Sequence, residues 1–246
     1  MKDEHLLFPD WPAPDNVRAF TTTRRGGVSM GPWESFNLGL SCGDDRDNVL
    51  ANRHRLADRL PSEPLWMRQV HGRRVVGCET DHDLEEADAR VTRTPGQALV
   101  VLTADCLPVF LCDERGEVAA IAHAGWRGLA DGVIEATVGR MNRPPQRLMA
   151  WLGPAIGGEV YEVGSEVRDA FAASSTLARL CVERAFAQAG NRWRLDIAGA
   201  GRVILQALGV DRVYGGEHCT YSDIERFFSH RRDGVTGRMA SLIWLE

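Results

Sequence analysis

Cys106 and His123 are the residues in this chain best suited to do chemistry, because the sequence between them folds back on itself. Two apolar runs, Leu107 to Cys112 and Val118 to Ala122, are joined by the polar turn Asp113 to Gly116, the pattern of a buried β-hairpin. With the turn centred between Glu114 and Arg115, Cys106 faces His123 across the ladder, their Cβ atoms about 4.5–5.5 Å apart on one side of the sheet. A thiol and an imidazole at the mouth of an apolar hairpin make either part of a metal site or a nucleophile with its base.

His71 is the third candidate. It sits in Val70-His71-Gly72, a tight connection between candidate strands Leu65 to Gln69 and Arg74 to Glu79. A histidine in such a place is more often a surface or capping residue than a ligand. Together with Cys106 and His123 it would complete a Cys-His₂ set that suits Zn²⁺ and leaves a fourth position for water or substrate. Asp105 could orient one histidine, although a regular strand points it away from Cys106. The alternative keeps the pair without metal: Cys106 as thiolate, His123 as general base, and the Gly125 to Gly128 amides as an oxyanion hole. Multicopper chemistry is disfavoured, since the chain has seven histidines and no His-x-His pair.

Composition narrows the partners. Lys2 is the only lysine, so a P-loop lysine and a Schiff-base lysine within the fold are excluded. Any phosphate must be held by arginine, backbone N–H groups or metal. The net charge of −5, from 29 basic and 34 acidic residues, favours neither nucleic acid nor an anionic membrane. A small-molecule partner is expected. The six cysteines show no C-x-x-C spacing, which argues against a disulfide framework or zinc ribbon. No apolar run approaches the ~18 residues that span a bilayer, and the first residues lack the apolar segment of a signal peptide. A cytoplasmic monomer is the expectation.

The elements that must position these residues follow from pattern. Val17 to Thr23 and Gln97 to Thr103 read as strands, the second leading into the hairpin. A helix capped by Asp44 or Asp45 is expected to run to about Leu60, where Pro61 stops it. Gly128 to Met141 reads as one amphipathic helix ended by Pro144-Pro145, and Ser165 to Ala173 and Ala198 to Leu208 as two more. Leu148 to Leu152, Arg212 to Tyr214, Phe227 to His230 and Arg238 to Leu245 are further strands. The acidic run Asp81 to Asp88, with His82 inside it, reads as a solvated loop. No linker or repeat divides the chain, so a single α/β domain over residues 1–246 with mixed sheets is expected.

The assembled motifs resemble the YfiH-type laccase-domain family, whose members are also called peptidoglycan editing factors or polyphenol-oxidase-like proteins. The resemblance covers almost the whole chain. It rests on Thr22-Thr23-Arg24, Gly26-Gly27-Val28-Ser29, Asn37-Leu38-Gly39, Asn52-Arg53 and Gln69-Val70-His71-Gly72. It continues through Thr103-Ala104-Asp105-Cys106, His123-Ala124-Gly125-Trp126-Arg127-Gly128, Leu152-Gly153-Pro154-Ala155-Ile156, Cys219-Thr220-Tyr221 and Phe228-Ser229-His230-Arg231-Arg232-Asp233. His230 departs from the aromatic residue many relatives carry before the paired arginines.

That resemblance implies mixed sheets in an α/β/β/α sandwich, related to cytotoxic-necrotising-factor-type deamidases. It implies zinc held by His71, Cys106 and His123. It also implies phosphorolysis of adenosine, inosine, guanosine and methylthioadenosine, and deamination of adenosine. Deamination calls for an activated water at the purine C6, which a Lewis-acidic metal supplies. Phosphorolysis calls for cations, for which Arg24, Arg53, Arg127, Arg231 and Arg232 are the candidates, Arg24 and Arg231 first. Asn37 is a candidate ribose or base contact. An amidase that edits misbuilt peptidoglycan precursors is the competing activity, and a copper-dependent polyphenol oxidase a further one.

Overall fold

Two sheets stack face to face in the computed structural model, which describes residues 3–77 and 85–246. The larger has six strands in the spatial order Arg212–Gly215, Leu148–Leu152, Leu107–Asp113, Ala119–Ala124, Ala89–Thr92 and Val75–Gly77. Its outermost pairings are parallel and its inner ones antiparallel. The smaller runs Leu6–Leu7, Val17–Thr22, Met239–Leu245 and Leu99–Thr103, antiparallel throughout. Leu107–Asp113 lies inside the larger sheet and is buried at every residue. A strand covered on both faces has no polar side to show, which is why it reads as a continuous apolar run.

Alternation along the strands divides the core into layers. Phe110, Cys112, Ile121 and Trp151 point at the smaller sheet, where they meet Leu99, Val101 and Ile243. Val109, Leu111, Ala122 and Leu152 point the other way, among the apolar residues of helices Val133–Met141 and Ile197–Ala207. Across the smaller sheet, Phe20, Val100 and Leu242 pack with Phe36, Leu38 and Leu56, the last from helix Arg46–Ala57. Burying each of the valine, leucine, isoleucine and phenylalanine side chains among these contributes about 1.5–3 kcal/mol. The order helix, sheet, sheet, helix is the α/β/β/α sandwich that the sequence implied.

The Arg46–Ala57 helix starts where its cap predicts, because Asp45 accepts hydrogen bonds from the backbone N–H groups of Asp47 and Asn48. Other elements differ from expectation for local reasons. The helix expected from Gly128 to Met141 is two, Trp126–Asp131 and Val133–Met141, broken at Gly132. Gly132 has φ 96°, a left-handed value that glycine takes without penalty. Phe227 to His230 is not a strand. Phe227 and Phe228 are buried with Met239, and Ser229 then caps the short helix His230–Asp233 by accepting from the Arg232 N–H.

The strand expected over Leu65 to Gln69 reduces to Met67–Arg68, paired parallel with Glu85–Glu86. That over Arg74 to Glu79 is seen as Val75–Gly77, while Cys78, Glu79 and His82 lie outside the described residues. Helix Thr176–Arg184 and the hairpin Phe186–Ala189 with Arg192–Leu195 had no counterpart in the sequence reading.

Candidate metal centre

The hairpin pairs Leu107 with Ala124 and Pro108 with His123, so His123 stands opposite Pro108 rather than Cys106. Turn chemistry explains the shift. Asp113 Oδ1 accepts from the N–H groups of Glu117 at 2.7 Å and Val118 at 3.0 Å. Gly116 adopts φ 65° while its N–H donates to the Asp113 carbonyl. The centre of the turn therefore moves one residue, to between Arg115 and Gly116. This displaces the pairing by two residues, and since side chains alternate with period two, it leaves every side chain on its original face. Cys106 and His123 remain on one side, as diagonal rather than direct neighbours.

His71 completes the group. The ligand atoms of His71, Cys106 and His123 lie within 4.8 Å of one another. Cys106 Sγ is 3.8 Å from His71 Nε2, and the two imidazole rings meet edge to face with centroids 4.7 Å apart. Among the described residues, two of the three positions that take left-handed backbone without glycine are here: His71 at φ 61° and Asp105, beside Cys106, at φ 90°. Such values are uncommon for side chains of this kind and recur at functional sites.

The carboxylate that organises the centre is Asp88, which the sequence reading placed in a solvated acidic loop. Asp88 is fully buried. Its Oδ1 accepts from His71 N at 2.9 Å and hydrogen-bonds His123 Nδ1 at 2.8 Å. Its Oδ2 accepts from Val70 N at 3.2 Å and Gly72 N at 2.7 Å. One side chain thus shapes the His71 turn and fixes the His123 ring, leaving Nε2 to face Cys106. The legible signal was position: Asp88 ends the acidic run against the apolar start of the Ala89–Thr92 strand. Asp105, the carboxylate the sequence suggested for this task, bonds neither histidine. It accepts from Thr220 Oγ1 and from Arg231 N, each at 2.6 Å.

Electrostatics match this wiring. Burial pushes the Asp88 carboxyl up, but the His123 ring and the turn N–H groups outweigh it and hold it below the usual carboxylate range. Burial likewise raises the Cys106 thiol, and His123 with His71 overcomes that to bring it down to about 6. Burial lowers His123, while Cys106 and Asp88 lift it to about 9. Thiolate and imidazolium stabilise each other. Space is provided by Gly125: a Cβ there would come to 2.9 Å from His71 Cδ2 and 3.1 Å from Cys106 Sγ. One thiolate and two imidazoles, one of them oriented by a carboxylate, fit a borderline-soft divalent metal.

A family model described as multi-copper polyphenol oxidoreductase laccase matches residues 18–246. The chain belongs to this laccase-domain family. Curated relatives run the full length: the Escherichia coli protein named purine nucleoside phosphorylase YfiH is 49% identical over 98% of both chains. A Pseudomonas aeruginosa protein of the same type of name is 51% identical, again over 98% of both. Among solved structures, a Neisseria meningitidis protein superposes with TM-score 0.92 at 46% identity, covering 98% of this chain and 99% of its own. YlmD from Geobacillus stearothermophilus gives 0.89 at 31%, covering 100% and 98%.

In this laccase-domain chain the substrate-side candidates separate into two groups. Arg127 and Arg231 both act electrostatically on the hydroxyl of Tyr161, as does Cys106; Arg127 stacks over Trp126 and Arg231 over the Tyr161 ring at 4.9 Å. Burial first, then Cys106, keeps that phenol protonated well above its ordinary range. Arg24, Arg53, Asn37 and Arg232 have their polar groups engaged by the protein. Arg24 Nε donates to the Glu34 carbonyl and its guanidinium lies over Phe228. Arg53 Nε donates to the Leu38 carbonyl and stacks on Trp66 at 3.6 Å. Asn37 is fully buried, with Oδ1 accepting from Gly39 N and Arg238 N and Nδ2 donating to Gly39 O and Asp44. Arg232 holds the carbonyls of Thr220, Tyr221 and Phe227. Trp126–Asp131 is only six residues long, and what Gly125 supplies at its start is room for the ligands.

Proposed function

We propose that this chain is a zinc-dependent cytoplasmic purine nucleoside phosphorylase that also deaminates adenosine. The observation that carries the reading is the convergence of His71, Cys106 and His123 within 4.8 Å. The curated relatives named purine nucleoside phosphorylase, similar over nearly their whole length, support the reaction class. Among the described residues this is the single group of three or more metal-ligating side chains, a count that favours one metal ion over a copper cluster. Bound there, zinc supplies a Lewis acid at the reacting centre.

The chain's own residues do the rest. His71, Cys106 and His123 would hold the ion, with Asp88 keeping the His123 tautomer and ring angle. Arg127 and Arg231 attract the phosphate that attacks the ribose, and they do so as arginines in a chain whose sequence has a single lysine, Lys2. Purified protein incubated with adenosine, inosine, guanosine or methylthioadenosine in phosphate should release free base and ribose phosphate. Adenosine without phosphate should give inosine. Absence of every one of these products, with metal bound, would refute the proposal.

A second reading has a specific observation in its favour. A thiol held down at about 6 beside an imidazole is also what a cysteine amidase needs. The two part on metal removal: chelation abolishes activity that zinc restores in the first case, and leaves amidase activity intact in the second.

A further inference from the structure

Asp105 joins the metal centre to a cavity that none of the residues above was invoked to explain. This cavity, of about 670 Å³, is lined by Arg192, Arg231, Tyr221, Val160, Glu159 and Glu162. Arg192 comes from the hairpin Phe186–Ala189 with Arg192–Leu195, and Arg231 from the short helix His230–Asp233, so the two guanidinium groups approach from separate elements.

Arg231 is held in place on three sides. Its N–H donates to Asp105 Oδ2 at 2.6 Å, its Nη1 donates to the Glu162 carbonyl at 2.7 Å, and its guanidinium stacks over Tyr161. Asp105 is itself fixed: Oδ1 accepts from Thr220 Oγ1 at 2.6 Å, and its carbonyl accepts from Ile156 N at 3.0 Å. The same residue, at φ 90°, turns the chain into Cys106. A carboxylate with both oxygens committed to short hydrogen bonds inside the protein is a strut. What it braces is the distance between a metal ligand and an arginine on a cavity wall.

We propose that the cavity between Arg192 and Arg231 is the phosphate subsite of the metal centre, and that Asp105 is the positioning residue that sets Arg231 into it. Two arginines with one pre-oriented by stacking and a backbone clamp suit a dianion. Glu159 and Glu162 on the same wall offer acceptors for the hydroxyls of a sugar, so the bound species is inorganic phosphate before the reaction and a sugar phosphate after it. This inference rests on the phosphorylase reading for its substrate, and direct binding tests it separately.

Equilibrium dialysis of zinc-loaded protein against radiolabelled inorganic phosphate reads the subsite without turnover. Wild-type protein should bind, and Arg192→Ala and Arg231→Ala should each weaken binding tenfold or more. In nucleoside phosphorolysis the same variants should raise KM for phosphate by that factor, leaving KM for nucleoside within about twofold. Asp105→Gly and Thr220→Val, which touch no phosphate, should raise phosphate KM with zinc content and kcat near wild type. Glycine takes positive φ freely, so Asp105→Gly removes both carboxylate bonds and retains the turn. Thr220→Val removes one clamp partner from the other side if Asp105→Gly does not fold. Phosphate binding unchanged in Arg192→Ala and Arg231→Ala, or absent from the wild type, overturns the subsite. Equal loss of kcat, zinc and nucleoside affinity in the Asp105 and Thr220 variants overturns the positioning role. Phosphate binding without any nucleoside turnover sustains the subsite and rejects the phosphorylase reading.

Discussion

Replacing Asp88 with asparagine tests whether one buried carboxylate organises the metal centre. The substitution keeps size and shape, so what changes is chemistry. The carboxylate has four donors to satisfy: His71 N and His123 Nδ1 on one oxygen, Val70 N and Gly72 N on the other. In asparagine one of those oxygens becomes an NH₂. With its NH₂ toward Val70 N and Gly72 N, the amide leaves two donors without an acceptor; turned the other way, it leaves His71 N without one and holds His123 only in the tautomer that puts the proton on Nε2. At about 1–3 kcal/mol for each unsatisfied buried group, and with His71 itself exposed, the expected cost is about 3 kcal/mol in folding stability. Metal affinity should fall about 10- to 100-fold, because the His123 ring and the His71 turn are both released.

Two measurements check this: urea unfolding of metal-free wild type and Asp88→Asn, and zinc affinity by competition with a chromophoric chelator. Acid supplies an internal control. The folded-state pKa of Asp88 is lowered, so its contribution is complete above the unfolded carboxylate value of about 3.9 and fades as pH falls through the lower folded value. The gap between wild type and variant should be full at pH 7 and shrink on strong acidification. An unfolding free energy within about 0.5 kcal/mol of wild type, together with unchanged zinc affinity, would refute the assignment.

Gly125→Ala should lower zinc affinity with little loss of stability, since φ −66° and ψ 163° suit alanine but its Cβ meets His71 and Cys106; full zinc binding would count against Gly125 as the space for the ligands. In metal-stripped protein, alkylation of Cys106 should be half-maximal near pH 6, the thiolate being present above that value and lost as pH falls through it; a midpoint near 9 would show that His123 and His71 do not stabilise it. Asn37→Ala should cost about 2–4 kcal/mol by urea unfolding, because Gly39 N and Arg238 N lose their buried acceptor; a fully stable variant that had lost nucleoside affinity would instead make Asn37 a substrate contact.

What was legible in the sequence, and what was not, divides along one physical line. Features with a fixed period survived local error. The turn of the hairpin was misplaced by one residue, yet Cys106 and His123 still share a face, because displacing the pairing by two residues restores the alternation of the strand. The buried hairpin was readable from its continuous apolar runs, while the sandwich was implied by the family resemblance; the molecule covers Leu107–Asp113 with a sheet on one side and helices on the other. Features that depend on a charge being buried were not readable. Asp88 and Asp105 look like any acidic residues in a chain with 34 of them, and each was assigned by its immediate neighbours. Their roles come from distant partners: Asp88 reaches His71 and His123, while Asp105 reaches Thr220 and Arg231. The same reasoning separates the arginines. The sequence put Arg24 and Arg231 first for phosphate, and tertiary contact separates the two: Arg24 lies over Phe228 with its Nε on the Glu34 carbonyl, whereas Arg231 is braced on a cavity wall by Asp105, the neighbour of Cys106. A buried charge must be paired to be tolerated, so the partner that tolerates it is the information a single sequence omits.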